Sequence, residues 1–270
     1  MRRKSLCFML AFVLLLPGLL LAQAPAAPAV APAAGGQGAP GARGGRGPAG
    51  PPAPATVPLA RDDARHKSFV EIAKAGNIDL LFVGDSITDW FFYGSRGGPA
   101  TGGKVWEANF APLKPANFGI AGDTTQGVLW RMQNGELEGF KAKLIVLMLG
   151  TNNIPRNPNA DIIEGDRLIV EEFKKRQPQA KVLVLGVFPR QNNRAPEQTA
   201  TLSAAIKEVN AGLAKLADNK QVFYMDIGDK FLAADGTIPL DVMGDGLHPT
   251  EKGYQIWADA ILPRVKELMK

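Results

Sequence analysis

Apolar residues along the chain gather into short runs separated by longer stretches of helical spacing. The runs at 78–83, 144–149 and 181–187 are almost wholly apolar. Such runs are typical of strands buried on both faces of a parallel sheet. Two weaker strands are predicted at 115–118 and 222–225.

Between these strands, apolar residues recur at the three- and four-residue spacing of amphipathic helices. The predicted helices are one before the first strand, one starting at Ser86, and those at 124–132, 161–175, 197–217 and 250–269. Strands that alternate with helices predict βα units and a sheet covered on both faces. The fold class is therefore α/β, a three-layer α/β/α flavodoxin-like domain with a five-stranded parallel sheet.

The first 22 residues have the pattern of a secretory signal peptide. Arg2, Arg3 and Lys4 precede an unbroken apolar run at 6–16, and small residues follow near Ala22. A membrane anchor is the alternative, but the run is shorter than the ~20 residues that a spanning helix needs. We expect cleavage after Ala22 or Ala24, a secreted or periplasmic protein, and no stable membrane insertion afterwards.

Residues 23–58 are almost entirely Ala, Pro, Gly and Gln, with two arginines and no acidic residue. This composition cannot bury a core, so we expect a disordered linker. Glycine recurs every third residue at 38–50, as in collagen, but the run is short, and a chance pattern is the favoured interpretation. The predicted catalytic domain spans 59–270.

The formal charge of +5 comes from the N-terminal region. Five of the 31 basic residues and none of the 26 acidic residues precede position 61, so the remainder is balanced. The high pI is therefore no indication of nucleic-acid binding. The one cysteine, Cys7, lies in the predicted signal peptide, and the mature chain lacks disulfides, cysteine nucleophiles and cysteine metal ligands.

Polar motifs follow the predicted strands. GDS at 84–86 follows the first, a glycine-bearing loop at 117–125 the second, and GTNN at 150–153 the third. A fourth motif, GDGLHPT at 244–250, precedes the last helix. Ligands of such folds bind beyond the carboxyl ends of the strands, so these motifs are expected along one rim of the sheet.

Ser86, Asp245 and His248 have the chemistry of a serine hydrolase. A carboxylate three residues before His248 can hold one imidazole nitrogen, which leaves the other free to take a proton from Ser86. A helix-capping turn is the alternative for the Asp245 motif, and both interpretations can hold. The other histidine, His66, lies in an amphipathic helix and is interpreted as structural or surface-exposed.

The same rim offers three donors for an oxyanion hole. They are the backbone N–H groups of Ser86 and Gly122 and the side-chain amide of Asn152. Each motif alone is a weak signal, since each can form a turn or a cap. Their order, one after each successive strand, favours an acyl-transfer site.

The motifs GDSIT, FGIAGD, GTNN and DGLH resemble, in this order, the four blocks of the SGNH (GDSL) hydrolases. The resemblance runs from about residue 64 to the end of the chain. The region 117–153 looks especially like the catalytic subunits of intracellular platelet-activating-factor acetylhydrolase, except that Ala121 stands where those subunits have glycine.

This resemblance implies a nucleophile at Ser86, a base at His248 and its orienting carboxylate at Asp245. It also implies an oxyanion hole of Ser86, Gly122 and Asn152. Ile87, Thr151 and Leu247 would line an acyl pocket, because they match positions around the acetyl pocket of the similar acetylhydrolases. The signal peptide departs from the intracellular members and points to secreted bacterial esterases, several of which deacetylate polysaccharides.

The sequence therefore predicts a secreted, cofactor-free and metal-free serine esterase acting on short acyl, most of all acetyl, esters of small molecules or polysaccharides. Three alternatives remain: a lysophospholipase or acetylhydrolase of lipid esters, a metal-dependent phosphoesterase, and a non-catalytic carbohydrate-binding domain. The phosphoesterase would use Asp85, Asn152, Asp245 and His248. The aromatic run at 90–93 lines the site entrance or packs in the core. The alcohol half of the ester and the oligomeric state stay open.

Overall fold

A computed structural model describes residues 52–93, 101–192 and 195–270. The predicted signal peptide and most of the predicted linker lie outside these residues. Five strands form one sheet, and all of them occur where the apolar runs predict them. Their bounds are β1 Leu80–Gly84, β2 Pro115–Gly119, β3 Leu144–Met148, β4 Lys181–Leu185 and β5 Val222–Met225.

All neighbouring strands run parallel, in the order β2-β1-β3-β4-β5. This is the flavodoxin-like order, so the predicted fold class is confirmed. Gly84 at the end of β1 pairs with Gly119 of β2 on one side and with Met148 of β3 on the other. Strands β1, β2 and β3 therefore end level, and the loops that follow them start side by side.

Helices cover both faces of the sheet. Their bounds are α1 Ala64–Ala75, α2 Ser86–Phe92, α3 Gly103–Asn109, α4 Thr125–Gln133, α5 Asn159–Arg176, α6 Thr199–Leu213 and α7 Glu251–Leu268. Only α3 was not predicted from the sequence. It is a seven-residue helix, too short to show a helical period, and it is fixed by burial of Val105 and Trp106.

Alternate side chains of β1 point into two separate cores. Leu81 and Val83 join the apolar cluster beneath α1, α4, α5 and α6. Leu80 and Phe82 join the cluster beneath α2, α3 and α7. This period of two explains why the strands read as unbroken apolar runs, since both faces are buried.

The end of the predicted linker packs on the domain. Ala55 is fully buried, and its carbonyl accepts a 2.8 Å hydrogen bond from the Thr125 hydroxyl. The Ala53 carbonyl accepts hydrogen bonds from the side-chain amides of Gln126 (2.9 Å) and Asn157 (3.0 Å). Composition predicts a linker up to residue 58, but main-chain carbonyls make these contacts, so composition gives no sign of them.

Candidate active site

Ser86 is the first residue of α2, immediately after β1. The Asp85 side chain caps this helix by accepting a 2.9 Å hydrogen bond from the N–H of Ile87. A side chain at Gly84 would collide with Thr88 and with the Met148 carbonyl, so only glycine allows this close turn between strand and helix. Ser86 is 6% exposed.

The structure brings Ser86, His248 and Asp245 into one hydrogen-bonded row. The Ser86 Oγ lies 2.9 Å from His248 Nε2, and His248 Nδ1 lies 2.6 Å from Asp245 Oδ2. The other oxygen of Asp245 accepts hydrogen bonds from the backbone N–H groups of Leu247 (2.9 Å) and His248 (2.7 Å). Asp245 therefore orders its own turn and orients the imidazole at the same time.

Partial burial favours the neutral form of Asp245, but its hydrogen bonds outweigh this effect. Bonds from the His248 ring and backbone and from the Leu247 backbone leave the pKa of the Asp245 carboxyl below its ordinary value. The group is thus a carboxylate at neutral pH. It can accept a hydrogen bond from Nδ1–H and leave Nε2 unprotonated towards Ser86.

Trp90 lies against the imidazole. Its ring is stacked on that of His248, with centroids 4.0 Å apart and an angle of 30° between the planes. Of the aromatic run at 90–93, Trp90 thus lies at the site, whereas Phe91 is fully buried in the core. The signal in the sequence is the spacing of four residues between Ser86 and Trp90, which puts both on one face of α2.

The predicted oxyanion donors lie in the loops after β1, β2 and β3. As the first residue of α2, Ser86 has an N–H without an intrahelical acceptor. Gly122 has a φ of +76°, and among the described residues its N–H donates to no acceptor. The Asn152 amide donates one hydrogen bond, of 2.8 Å, to the Asp123 carbonyl, which leaves its second N–H available.

The three predicted acyl-pocket residues are differently placed. Ile87 is buried in the cluster beneath α7, and Leu247 packs against the same cluster. Thr151 is 1% exposed, and its carbonyl accepts a 3.0 Å hydrogen bond from Arg190. Each adjoins a residue of the row or of the oxyanion set in sequence, but the side chain of Ile87 is 1% exposed and belongs to the core.

Arg190 was missed by the sequence analysis. It follows β4 by five residues, at the same rim as the other motifs, and this position was the available signal. Burial lowers the pKa of its guanidinium, while the charges of Asp85 and Asp245 oppose this shift. Beyond Arg190 opens a cavity of about 580 Å³, whose wall includes Tyr224, Asp226 and Lys207.

Two carboxyl groups are buried beneath the site. Asp85 is fully buried, and this burial raises its pKa to about 7. Asp166 of α5 is 1% exposed, and neither of its oxygens has a hydrogen-bond partner. Its pKa is raised well above the ordinary value by burial and, secondly, by the charge of Asp85. A polar residue on a helix carries no sequence signal of such burial.

His66 is structural, as its helix predicts. Its Nδ1 lies 2.8 Å from Glu136 Oε1, and its ring meets the edge of Trp130. It lies on α1, while the row of Ser86 and His248 joins α2 to the loop before α7.

Comparison with known proteins places this arrangement in context. The family model of the GDSL-like lipase/acylhydrolase family matches residues 82–256, well over half of the chain. The match begins in β1 just before Ser86 and includes the loop that carries Asp245 and His248.

Among curated proteins, the chain is similar to platelet-activating factor acetylhydrolase IB subunit alpha2 of Homo sapiens. The two are 38% identical over 211 residues, which cover 74% of this chain and 85% of the relative. Subunit alpha1 of Homo sapiens is 36% identical over 190 residues, which cover 70% of this chain and 76% of that subunit.

Solved structures share the fold at lower identity. A GDSL-like lipase from Bacteroides thetaiotaomicron matches with a TM-score of 0.60 and 17% identity, over 75% of this chain and 97% of that one. An acetylxylan esterase from Geobacillus stearothermophilus matches with a TM-score of 0.55 and 20% identity, over 71% of this chain and 96% of that one.

Proposed function

Because the chain belongs to the GDSL-like lipase/acylhydrolase family and is an SGNH serine esterase, we propose that Ser86, His248 and Asp245 carry out its chemistry. The observation that carries this assignment is the 2.9 Å contact between Ser86 Oγ and His248 Nε2, with Asp245 on the other side of the ring. A hydroxyl within hydrogen-bond reach of an oriented imidazole is the arrangement of an activated nucleophile.

In the proposed reaction, Ser86 Oγ attacks the ester carbonyl while His248 Nε2 takes its proton. The imidazolium then gives this proton to the leaving alcohol, and an acyl-serine remains. Water attacks the acyl-serine, with His248 again as the base, and releases the acid. Asp245 stays ionised throughout and stabilises the imidazolium.

The negative charge on the carbonyl oxygen is proposed to be held by the N–H groups of Ser86 and Gly122 and by the free amide hydrogen of Asn152. These donors lie in loops that leave three adjacent strands at the same level. Donors fixed in this way act where charge develops, and losing one costs an esterase about 10²–10³ in kcat.

For the substrate we propose a short acyl ester, in the first place an acetyl ester. Ile87, Thr151 and Leu247 have branched side chains and directly follow the nucleophile, precede an oxyanion donor and precede the base, respectively. They would leave little room for a long acyl chain. An acetyl ester of a sugar is the first candidate, and an acetylated lipid the second, since relatives are named platelet-activating factor acetylhydrolases.

We further propose that the protein acts outside the cytoplasm, exported by the signal peptide predicted at residues 1–22. Over the described ranges 52–93, 101–192 and 195–270, no helix is both long and apolar enough to cross a membrane.

The metal-dependent phosphoesterase has less support, because no three potential ligands among His, Asp and Glu come together within those same ranges.

A fluorophosphonate probe tests the nucleophile directly. The Ser86 oxygen should form a bond to phosphorus and release fluoride, so the intact protein should be labelled at Ser86 and lose its p-nitrophenyl acetate hydrolysis. Ser86→Ala should be unlabelled and lose activity by several orders of magnitude. Ser68→Ala, an exposed serine on α1, is the matched control and should behave as the parent protein.

Near-normal turnover in Ser86→Ala would refute the assignment. Activity should also persist in excess chelator, and loss of activity there would favour the phosphoesterase. Acetylated xylan, acetylated monosaccharides and an acetylated phospholipid, assayed side by side, would then rank the two candidate substrate classes.

A further inference from the structure

Asp123 lies next to the proposed oxyanion hole but is not one of its hydrogen-bond donors. Its side chain is 1% exposed and contacts two arginines. Arg61 Nη1 donates to Asp123 Oδ1 at 3.0 Å, and Arg131 Nε donates to Asp123 Oδ2 at 2.9 Å. The Thr124 N–H also donates to Oδ1 at 3.0 Å, so both carboxylate oxygens are engaged.

The backbone of Asp123 is tied to two of the oxyanion donors. Its carbonyl accepts the 2.8 Å hydrogen bond that orients the Asn152 amide. Its N–H donates to the Ile120 carbonyl at 3.0 Å, which closes the turn that presents Gly122. A displacement of the Asp123 backbone would therefore move two proposed donors. These are the N–H of the preceding residue, Gly122, and the side-chain amide of Asn152.

Arg131 ties this aspartate to the body of the protein. It is fully buried on α4, and its Nη2 donates to the Phe118 carbonyl in β2 at 3.1 Å. Its Nη1 pairs with Glu136, which in turn contacts His66 of α1. A buried arginine with two carboxylates and a carbonyl is a rigid anchor, because each hydrogen bond fixes the plane of the guanidinium.

Gly127 leaves the space in which the Asp123 carboxylate sits. A Cβ at this position of α4 would collide with Asp123 Oδ1. Glycine in a helix costs about 0.5–1 kcal/mol relative to alanine, so its presence here has a steric reason rather than a helical one.

We propose that Asp123, anchored by Arg131 and accommodated by Gly127, is a positioning residue that aligns the Gly122 N–H and the Asn152 amide with the oxyanion. This inference rests on the proposed function, because Asp123 would act by aligning two donors of the proposed oxyanion hole. Misaligned donors stabilise the transition state less and affect substrate binding little.

Gly127→Ala tests this positioning without removing a charge or a hydrogen-bonding group. Its kcat for p-nitrophenyl acetate should fall about ten-fold or more, while KM stays within about two-fold. Gly212→Ala is the matched control. It also adds one methyl group to a helix, α6, where the new Cβ meets the Ile163 side chain, and its kcat should equal that of the parent protein.

A double-mutant cycle with Asn152→Ala separates positioning from general destabilisation. If Asp123 acts through Asn152, Gly127→Ala should cost clearly less in the Asn152→Ala background than in the parent protein. Asp123→Asn should give the same loss in kcat with little change in KM, and it decides the question if Gly127→Ala does not fold. Thermal unfolding of each variant checks the fold.

Equal kcat losses in Gly127→Ala and Gly212→Ala would overturn the proposal. So would a double variant of Gly127→Ala and Asn152→Ala whose fold-loss in kcat equals the product of the two single losses. An unchanged kcat in Asp123→Asn would do so too. If the parent protein is labelled by fluorophosphonate at Ser86 and yet these results occur, only the positioning fails. If Ser86→Ala retains its activity, the proposed function itself fails.

Discussion

Trp90 lies four positions after Ser86 on α2, and this spacing gives the imidazole of His248 an aromatic neighbour. The centroids of the two rings lie 4.0 Å apart. The face of an indole ring attracts a cation, so the stack favours the imidazolium that forms during attack on the ester. It also restricts rotation of the imidazole about its Cβ–Cγ bond.

Trp90→Leu should therefore lower kcat by about ten-fold, because a desolvated cation–π contact is worth about 1–2 kcal/mol. Trp90→Phe keeps an aromatic face and should lose less. Phe92→Leu, on an exposed side chain of the same helix, is the control. Steady-state kinetics with p-nitrophenyl acetate measure all three, and equal losses in Trp90→Leu and Phe92→Leu would contradict the role of the stack.

At the scale of residues, the sequence predicts those site residues that lie in short local motifs. Ser86, His248 and Asp245 lie in short motifs with fixed spacing, and the structure places them within hydrogen-bond reach of one another. Arg190 and Asp166 lie in no such motif, since their contacts are made across the fold. Arg190 meets the loop after β3, and Asp166 is buried by its position on α5.

At the scale of elements, the apolar pattern predicts all five strands and most of the helices. Both cores are filled by these strands, so burial and sequence pattern coincide. The pattern fails for α3, which is short, and for the chain around residue 55, where main-chain carbonyls make the contacts. Side-chain patterns carry no information on contacts made by the main chain.

The turn that carries His248 also makes a prediction about the acyl chain. Leu247 packs against the α7 core and directly precedes the base, and we propose that it restricts the space for the acyl chain. Each misfitting methylene can cost about 1–3 kcal/mol, and acetyl esters should exceed butyryl esters by about ten-fold or more in kcat/KM. Leu247→Ala should narrow this gap.

Side-by-side hydrolysis of p-nitrophenyl acetate, butyrate and octanoate measures the effect. Leu262→Ala, which truncates a leucine packed on the same core from α7, is the control and should keep the preference of the parent protein. If octanoate were hydrolysed as well as acetate, the short acyl pocket would be wrong while the esterase assignment would stand.

At the scale of the whole molecule, the buried carboxyl groups tie stability to pH. Burial raises the pKa of Asp85 to about 7 and raises that of Asp166 well above its ordinary value. In the unfolded chain both groups ionise near pH ~4. Between these values the folded protein holds more protons than the unfolded chain, so the free energy of unfolding falls as pH rises.

Asp166→Asn should therefore make the decline in unfolding free energy between about pH 4 and pH 8 shallower, since the amide has no proton to lose in this range. The gain over the parent protein should be largest at the alkaline end. Urea unfolding at successive pH values measures it. Asp161→Asn, on a partly exposed residue of the same helix, is the control. An unchanged slope in Asp166→Asn would show that its carboxyl does not carry the effect.

The contacts of Ala53 and Ala55 also have a mechanical consequence. Their carbonyls are held by Thr125 and Gln126 at the start of α4 and by Asn157 beyond β3. Asn153 joins the same groups and directly follows the proposed oxyanion donor Asn152. A pulling force on the chain before Ala53 would thus be transmitted to the start of α4 and to the loop that carries Asn152.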